Sequence, residues 1–139
     1  QSRRGILVRQ GHPLIKKYEK AGKIELDDLR AFKHVMMNLP GTPELSPAAY
    51  QQYAFEVGIS LPYFLGVPYV LADTDYVYIG PVVTLMHCLR LPDCNLRVLP
   101  APPEVSPFTP AIIWHHGAHT DPFLQWVRGA LLQSAREEA

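Results

Sequence analysis

Three groups of side chains have the types and spacing to do chemistry. His115, His116 and His119 form an HHxxH run, and imidazole is a common metal ligand. Asp121 is the one acid close by and no cysteine joins them, so a solvated turn accounts for the run better than a metal. Asp73 and Asp75 bracket Thr74 and have the pairing that acid–base catalysis uses. Capping at a helix-to-strand turn explains them more simply. Cys88 and Cys94 flank a helix end without CxxC spacing, which favours core or surface thiols. No nucleophile elbow, P-loop, GxGxxG or HExxH is present. Catalysis has no candidate centre, the chain reads as a non-enzyme, and no cofactor is expected.

Binding chemistry has a better candidate in the stretch Leu61 to Pro81, LPYFLGVPYVLADTDYVYIGP. Leu61 to Val67 is a short apolar run, as in a buried strand of an α/β sheet. Pro68 suits the first turn of a helix, where a missing N–H is no loss. That helix ends by Ala72, before Asp73, Thr74 and Asp75. Tyr76 to Ile79 predicts a further strand, and Gly80-Pro81 the start of another helix. A strand end feeding a helix N-terminus is where open α/β sheets take small ligands. Tyr63, Phe64, Pro68 and Tyr69 stand at that edge.

Around this stretch, strand and helix signals alternate. Gly5 to Arg9 predicts a strand, and Leu14 to Lys23 an exposed helix or loop. Leu26, Leu29 and Phe32 mark one side of a short helix with acids in its first turn. His34 to Asn38 predicts a strand, followed by a loop holding Pro40, Gly41, Thr42 and Pro43. Ser46 and Pro47 are a cap and first residue of a helix whose buried face is Tyr50, Tyr53, Ala54 and Val57, stopped by Gly58. Val82, Leu85, Met86 and Leu89 repeat helical spacing, and Leu96 to Leu99 predicts a strand. Five prolines between Pro100 and Pro110 imply an extended connector. Ala111 to His115 then predicts a strand, and Asp121-Pro122 caps a last helix with Phe123, Trp126, Val127, Ala130 and Leu131 on one face. The alternation implies α/β architecture with a mostly parallel sheet. The final strand and helix need a sheet that the chain does not obviously supply.

Composition bounds the function. The 139 residues suffice for one modest domain, and 47% apolar with 19% charged content argues for a folded one. Net charge is zero, so there is no electrostatic footprint for nucleic acid. No apolar run approaches a membrane span, and the opening QSRRGILVRQGH is too weakly apolar for a signal peptide. Two cysteines make a disulfide framework improbable and suit a reducing cytoplasm.

Four segments in order carry a family resemblance: GHPL at Gly11 to Leu14, LDDLRAF at Leu26 to Phe32, ADTDYVYIGP at Ala72 to Pro81, and IIWHHGAHTDPFLQWVR at Ile112 to Arg128. The chain resembles LysR-type transcriptional regulators, most of all the branch sensing aromatic acids and flavonoids. The resemblance implies a two-lobed, periplasmic-binding-protein-like (type II) regulatory domain with the effector in the cleft between lobes. Residues 1–99 would be the second lobe with hinge strands. Residues 100–139 would be the Pro-rich crossover and the strand-helix part returning to the first lobe. It implies effector contacts from Gly41, Thr42, Tyr63, Phe64, Pro68 and Tyr69, and an aromatic or carboxylated effector. DNA would be met only through an N-terminal helix-turn-helix that this chain lacks, and a homo-oligomer is expected. Rival readings are a periplasmic-type solute-binding module and an α/β enzyme.

Overall fold

A computed structural model describes residues 2–38 and 45–137. The first strand, β1 (Arg4–Arg9), is the centre of the molecule, with Ile6, Leu7 and Val8 completely buried. A strand buried on both faces reads as a continuous apolar run, which is why GILV stands there. β1 pairs antiparallel with β4 (Tyr78–Pro81) on one side and with β5 (Leu96–Pro100) on the other. A second pair, β2 (His34–Met37) with β3 (Val57–Leu61), runs parallel. The two pairings join through a parallel bridge between His34 and Val77, where Val35 N–H donates to the Val77 carbonyl at 2.9 Å and Val77 N–H to Lys33 at 2.9 Å. The spatial order is β3-β2-β4-β1-β5, and every strand except β1 points the same way. The α/β architecture is as the alternating sequence predicts, but the pairing is mixed: β3, β2 and β4 run parallel, whereas both pairings of β1 are antiparallel.

Alternation along the strands splits the core in two. Ile6, Val8, Val77, Ile79 and Leu99 face one layer of helices, and Leu7, Val35, Met37, Tyr78 and Leu96 face the other. The first layer holds α1 (Pro13–Ala21), α2 (Leu26–Arg30) and α3 (Pro47–Gln52). Leu14, Ile15, Leu29 and Tyr50 are their buried anchors. The second layer holds α4 (Val67–Ala72) and α5 (Val82–Cys88), anchored by Val67, Leu71, Leu85 and Cys88. Each such buried aliphatic side chain contributes about 1.5–3 kcal/mol of transfer free energy.

Two histidines are built into the first layer. His12 caps α1: its Nδ1 accepts from the Leu14 N–H at 3.1 Å, while Nε2 lies 2.9 Å from the Asp75 carbonyl. With Nδ1 accepting, Nε2 must carry the proton and donate it. His34 lies on the Phe55 ring, centroids 4.4 Å apart and 11° between planes. Its Nε2 is 2.9 Å from the Leu29 carbonyl, and its buried Nδ1 has no hydrogen-bond partner among the described residues. Burial lowers the pKa of both imidazoles. For His12 the nearby Asp75 opposes the shift and Arg9 adds to it.

The structure corrects the sequence reading in several places. The strand expected over Leu61 to Val67 lies earlier, at Val57–Leu61. Pro62 has no N–H to continue a ladder, and a 3-10 turn, Phe64–Gly66, follows. Helix α3 is shorter than expected and ends at Tyr53. Ala54 adopts a positive φ of 55°, and Phe55 turns back to donate its N–H to the Tyr50 carbonyl at 2.9 Å. Phe55 thereby replaces Ala54 and Val57 as the buried residue, and Gly58 belongs to β3 rather than capping a helix. In α5, Leu85 is buried as expected, but Met86 and Leu89 are exposed and Cys88 takes the second core position. Residues 111–115 form no ladder, because a strand needs a neighbour and none in the described chain reaches them. The last helix, α6 (Pro122–Glu137), is present with Asp121 Oδ1 accepting from Leu124 N–H at 3.0 Å. None of its residues is buried.

Candidate ligand-binding site

The Phe64–Gly66 turn and α4 follow β3 and share a core cluster with α5. Between them lies a cavity of about 540 Å³. Phe64, Leu65, Pro68 and Tyr69 form the α4 side, and Thr84, His87, Cys88 and Leu91 the α5 side. Phe64 is held by Tyr78 beneath it, ring centroids 5.6 Å apart. Pro68 and Cys88 are buried and close the floor, whereas Leu65 and Tyr69 are exposed. Burial raises the Cys88 pKa, so the thiol is protonated and donates to the Thr84 carbonyl at 3.7 Å. Among the described residues no Lys, Arg, Asp or Glu lines this space.

The sequence-predicted residues fall out as follows. Phe64, Pro68 and Tyr69 are brought together on one side of the cavity. Tyr63 is 75% exposed and not part of its lining. Gly41 and Thr42 lie outside the described residues. Thr84, His87 and Leu91 were not singled out from the sequence. Helical spacing in α5 marks which face is apolar, but not that α4 lies alongside to make a groove.

A second space, about 340 Å³, opens where β1 begins, beside Pro100 and the start of α5. Arg3, Arg4, Val82 and Ser106 are among its lining residues. Arg4 is committed to the fold: its backbone N–H donates to Ser106 Oγ at 3.1 Å, its Nη1 donates to the Val105 carbonyl at 2.9 Å, and its guanidinium lies 4.8 Å over the Phe108 ring.

The other chemically suggestive groups have structural tasks. Thr74 Oγ1 donates to the Val70 carbonyl at 2.7 Å and accepts from Tyr76 N–H at 3.2 Å, closing the turn after α4. Asp73 is the C-cap of α4, and Asp75 pairs with Arg9 at 2.6 Å. His115 Nδ1 accepts from Gly117 N–H at 3.1 Å, and His119 stacks on Trp114. Arg128 covers the other part of that Trp at 4.6 Å and donates to the His119 carbonyl at 2.9 Å, tying residues 114–119 to α6. Among the described residues no group of three or more His, Cys, Asp or Glu converges as metal ligands would. Cys88 and Cys94 are both free and buried. Among the described residues no helix is long and apolar enough to cross a membrane.

The α/β lobe has one reversed central strand and carries a small-molecule-sized cavity. Proteins of known structure share its fold. The regulatory domain of MexT, a transcriptional activator in Pseudomonas aeruginosa, superposes with a TM-score of 0.60 at 21% identity, over 94% of this chain and 60% of that one. A putative transcriptional regulator from Vibrio parahaemolyticus superposes with a TM-score of 0.61 at 18% identity, over 93% of this chain and 59% of that one. In sequence, the chain is 35% identical over 68 residues to the HTH-type transcriptional regulator SyrM of Rhizobium meliloti, a match spanning 48% of this chain and 20% of SyrM. No family model matches the chain. The structural likenesses establish the fold, which is the α/β fold of the regulatory domain of MexT, and over 68 residues the sequence is similar to that of SyrM. The chain spans about three fifths of the structural relatives named here.

Proposed function

We propose that this chain senses a small effector, aromatic or carboxylated, for a cytoplasmic LysR-type regulator. The observation that carries this reading is the cavity of about 540 Å³, in the size range of small-molecule sites, framed by Phe64, Pro68 and Tyr69. Residues 1–99 make the second lobe of the sensor, and residues 100–139 belong to the crossover and the first lobe. Supporting that division, no residue of α6 is buried, Trp126 is 69% exposed, and residues 111–115 have no strand partner among the described residues. An apolar helix face of this kind needs another surface to cover it.

The mechanism is a population shift. An effector bound between lobes favours one degree of closure, and the oligomer that presents the family's helix-turn-helix heads to DNA changes shape with it. The size of the response is bounded by the difference in effector affinity between the two closures. Thermal-shift measurements with aromatic compounds test the reading. A saturable rise in the melting temperature that is weakened by Phe64→Ala and Tyr69→Ala is expected. No rise with any such compound would refute the assignment of the site.

A further inference from the structure

We propose that Cys88 and Cys94 together hold a soft monovalent cation of the Cu(I) class, bound by two thiolates and reached through the groove between α4 and α5. The site is independent of the effector reading above. Both cysteines are free, and both are buried in the core cluster shared by α4, α5 and the sheet. Six residues separate them in sequence, and the chain between them turns back. Cys88 ends α5, Leu91 N–H donates to the Cys88 carbonyl at 3.2 Å, and Asp93 has a positive φ of 65°. Cys94 thus returns to the layer that Cys88 left, close enough for the charge of one thiolate to oppose that of the other. Cys88 also lines the groove, so a small ion entering there meets its sulfur. The thiol is held only by its weak bond to the Thr84 carbonyl at 3.7 Å, which a metal readily replaces.

The ligand set decides the ion. Thiolate sulfur is soft and selects soft cations, whereas Mg²⁺ and Ca²⁺ want oxygen ligands. A structural Zn²⁺ takes four ligands. Among the described residues no third His, Cys, Asp or Glu converges to supply them. Cu(I), a closed-shell ion, is satisfied by two sulfurs. Burial keeps the Cys88 thiol neutral on its own. A coordinating cation removes the proton outright and offsets the repulsion between the two thiolates. On binding, two S–H bonds break, two Cu–S bonds form and two protons leave to solvent. Copper stays Cu(I), so no oxidant or reductant is consumed, and the filled site carries a single negative charge.

Anaerobic titration of the reduced chain with Cu(I), against a competing chromophoric Cu(I) chelator, tests this. One ion per chain should be retained, with a new ultraviolet thiolate-to-copper band. Because two protons are released, apparent affinity should fall about a hundredfold for each unit of pH lost, against about tenfold for a single thiol. Cys88→Ala and Cys94→Ala should each weaken binding at least about a hundredfold, since the second thiolate acts at high effective concentration. If an alanine variant fails to fold, the stoichiometry and pH slope of the unmodified chain still decide. No retained copper, a slope of about tenfold per pH unit, or undiminished binding by the Cys94→Ala chain overturns the site. Loss of two hydrogens from the chain mass in place of a bound ion marks a disulfide and overturns it too. Retention of Zn²⁺ as tight as that of Cu(I) overturns the assignment of the ion. None of these results bears on the effector reading, which the aromatic thermal-shift series tests separately.

Discussion

Replacing His12 with alanine removes three contacts at once, and each has a magnitude. The imidazole is fully buried, and its Nδ1 accepts from Leu14 N–H at the start of α1. Losing such a cap costs about 1 kcal/mol. Its Nε2–H donates to the Asp75 carbonyl at 2.9 Å, tying α1 to the turn before β4, and this bond adds about 1 kcal/mol. The ring packs on Phe32 with centroids 4.6 Å apart, and the space left by alanine adds about 1–2 kcal/mol. His12→Ala should therefore cost about 3–4 kcal/mol, a large share of the 5–15 kcal/mol typical of a domain. His12→Asn separates the parts, because asparagine is a good cap but falls short of Asp75. It should recover about 1 kcal/mol over alanine. Urea unfolding of the three proteins measures this, as a shift in midpoint at constant slope. An alanine variant within about 0.5 kcal/mol of the parent, or an asparagine variant no better than alanine, would refute the cap-and-tie account.

Acid should weaken the fold. The pKa values of His12 and His34 are lowered, chiefly by burial, so below about pH 6.5 the unfolded chain binds more protons than the folded one. The contribution of the two neutral imidazoles is complete above that pH and is lost as pH falls through the histidine range, and the double variant His12→Asn, His34→Phe should show a flatter stability profile from about pH 7 to 5. Gly58→Ala places a Cβ 2.8 Å from the Tyr76 ring and 3.0 Å from Lys33 Cβ, which should destabilise by about 1–3 kcal/mol in thermal or urea unfolding. By contrast Asp75→Asn removes only a half-exposed ion pair with Arg9, and should cost under about 1 kcal/mol, less again in high salt.

Local chemistry made much of this molecule legible. Ser46-Pro47 starts α3, with the serine hydroxyl accepting from Ala49 N–H at 3.2 Å, and Asp121 caps α6. These are bonds within a few residues, so residue type and spacing specify them. The run GILV could only be a strand covered on both faces, and β1 is that strand. The ordered segments from GHPL to WVR carried the resemblance, and Phe64, Pro68 and Tyr69, read together at one edge, line one cavity.

Tertiary structure decided what depends on neighbours distant in sequence. The pull of His34 on Phe55 goes with an α3 that stops at Tyr53, against a helical pattern that reads on to Val57. Pro62 marks where β3 must end only once β2 is known to be its partner. Residues 111–115 have strand-forming side chains but no ladder, since a strand exists by virtue of the edge it joins. The α5 side of the cavity belongs to the same class: Thr84, His87 and Leu91 line it only once α4 is in place, and nothing in their own spacing announces it. Short-range hydrogen bonds and apolar period are written residue by residue, whereas pairing and cavities arise from contacts that form only when the chain is folded.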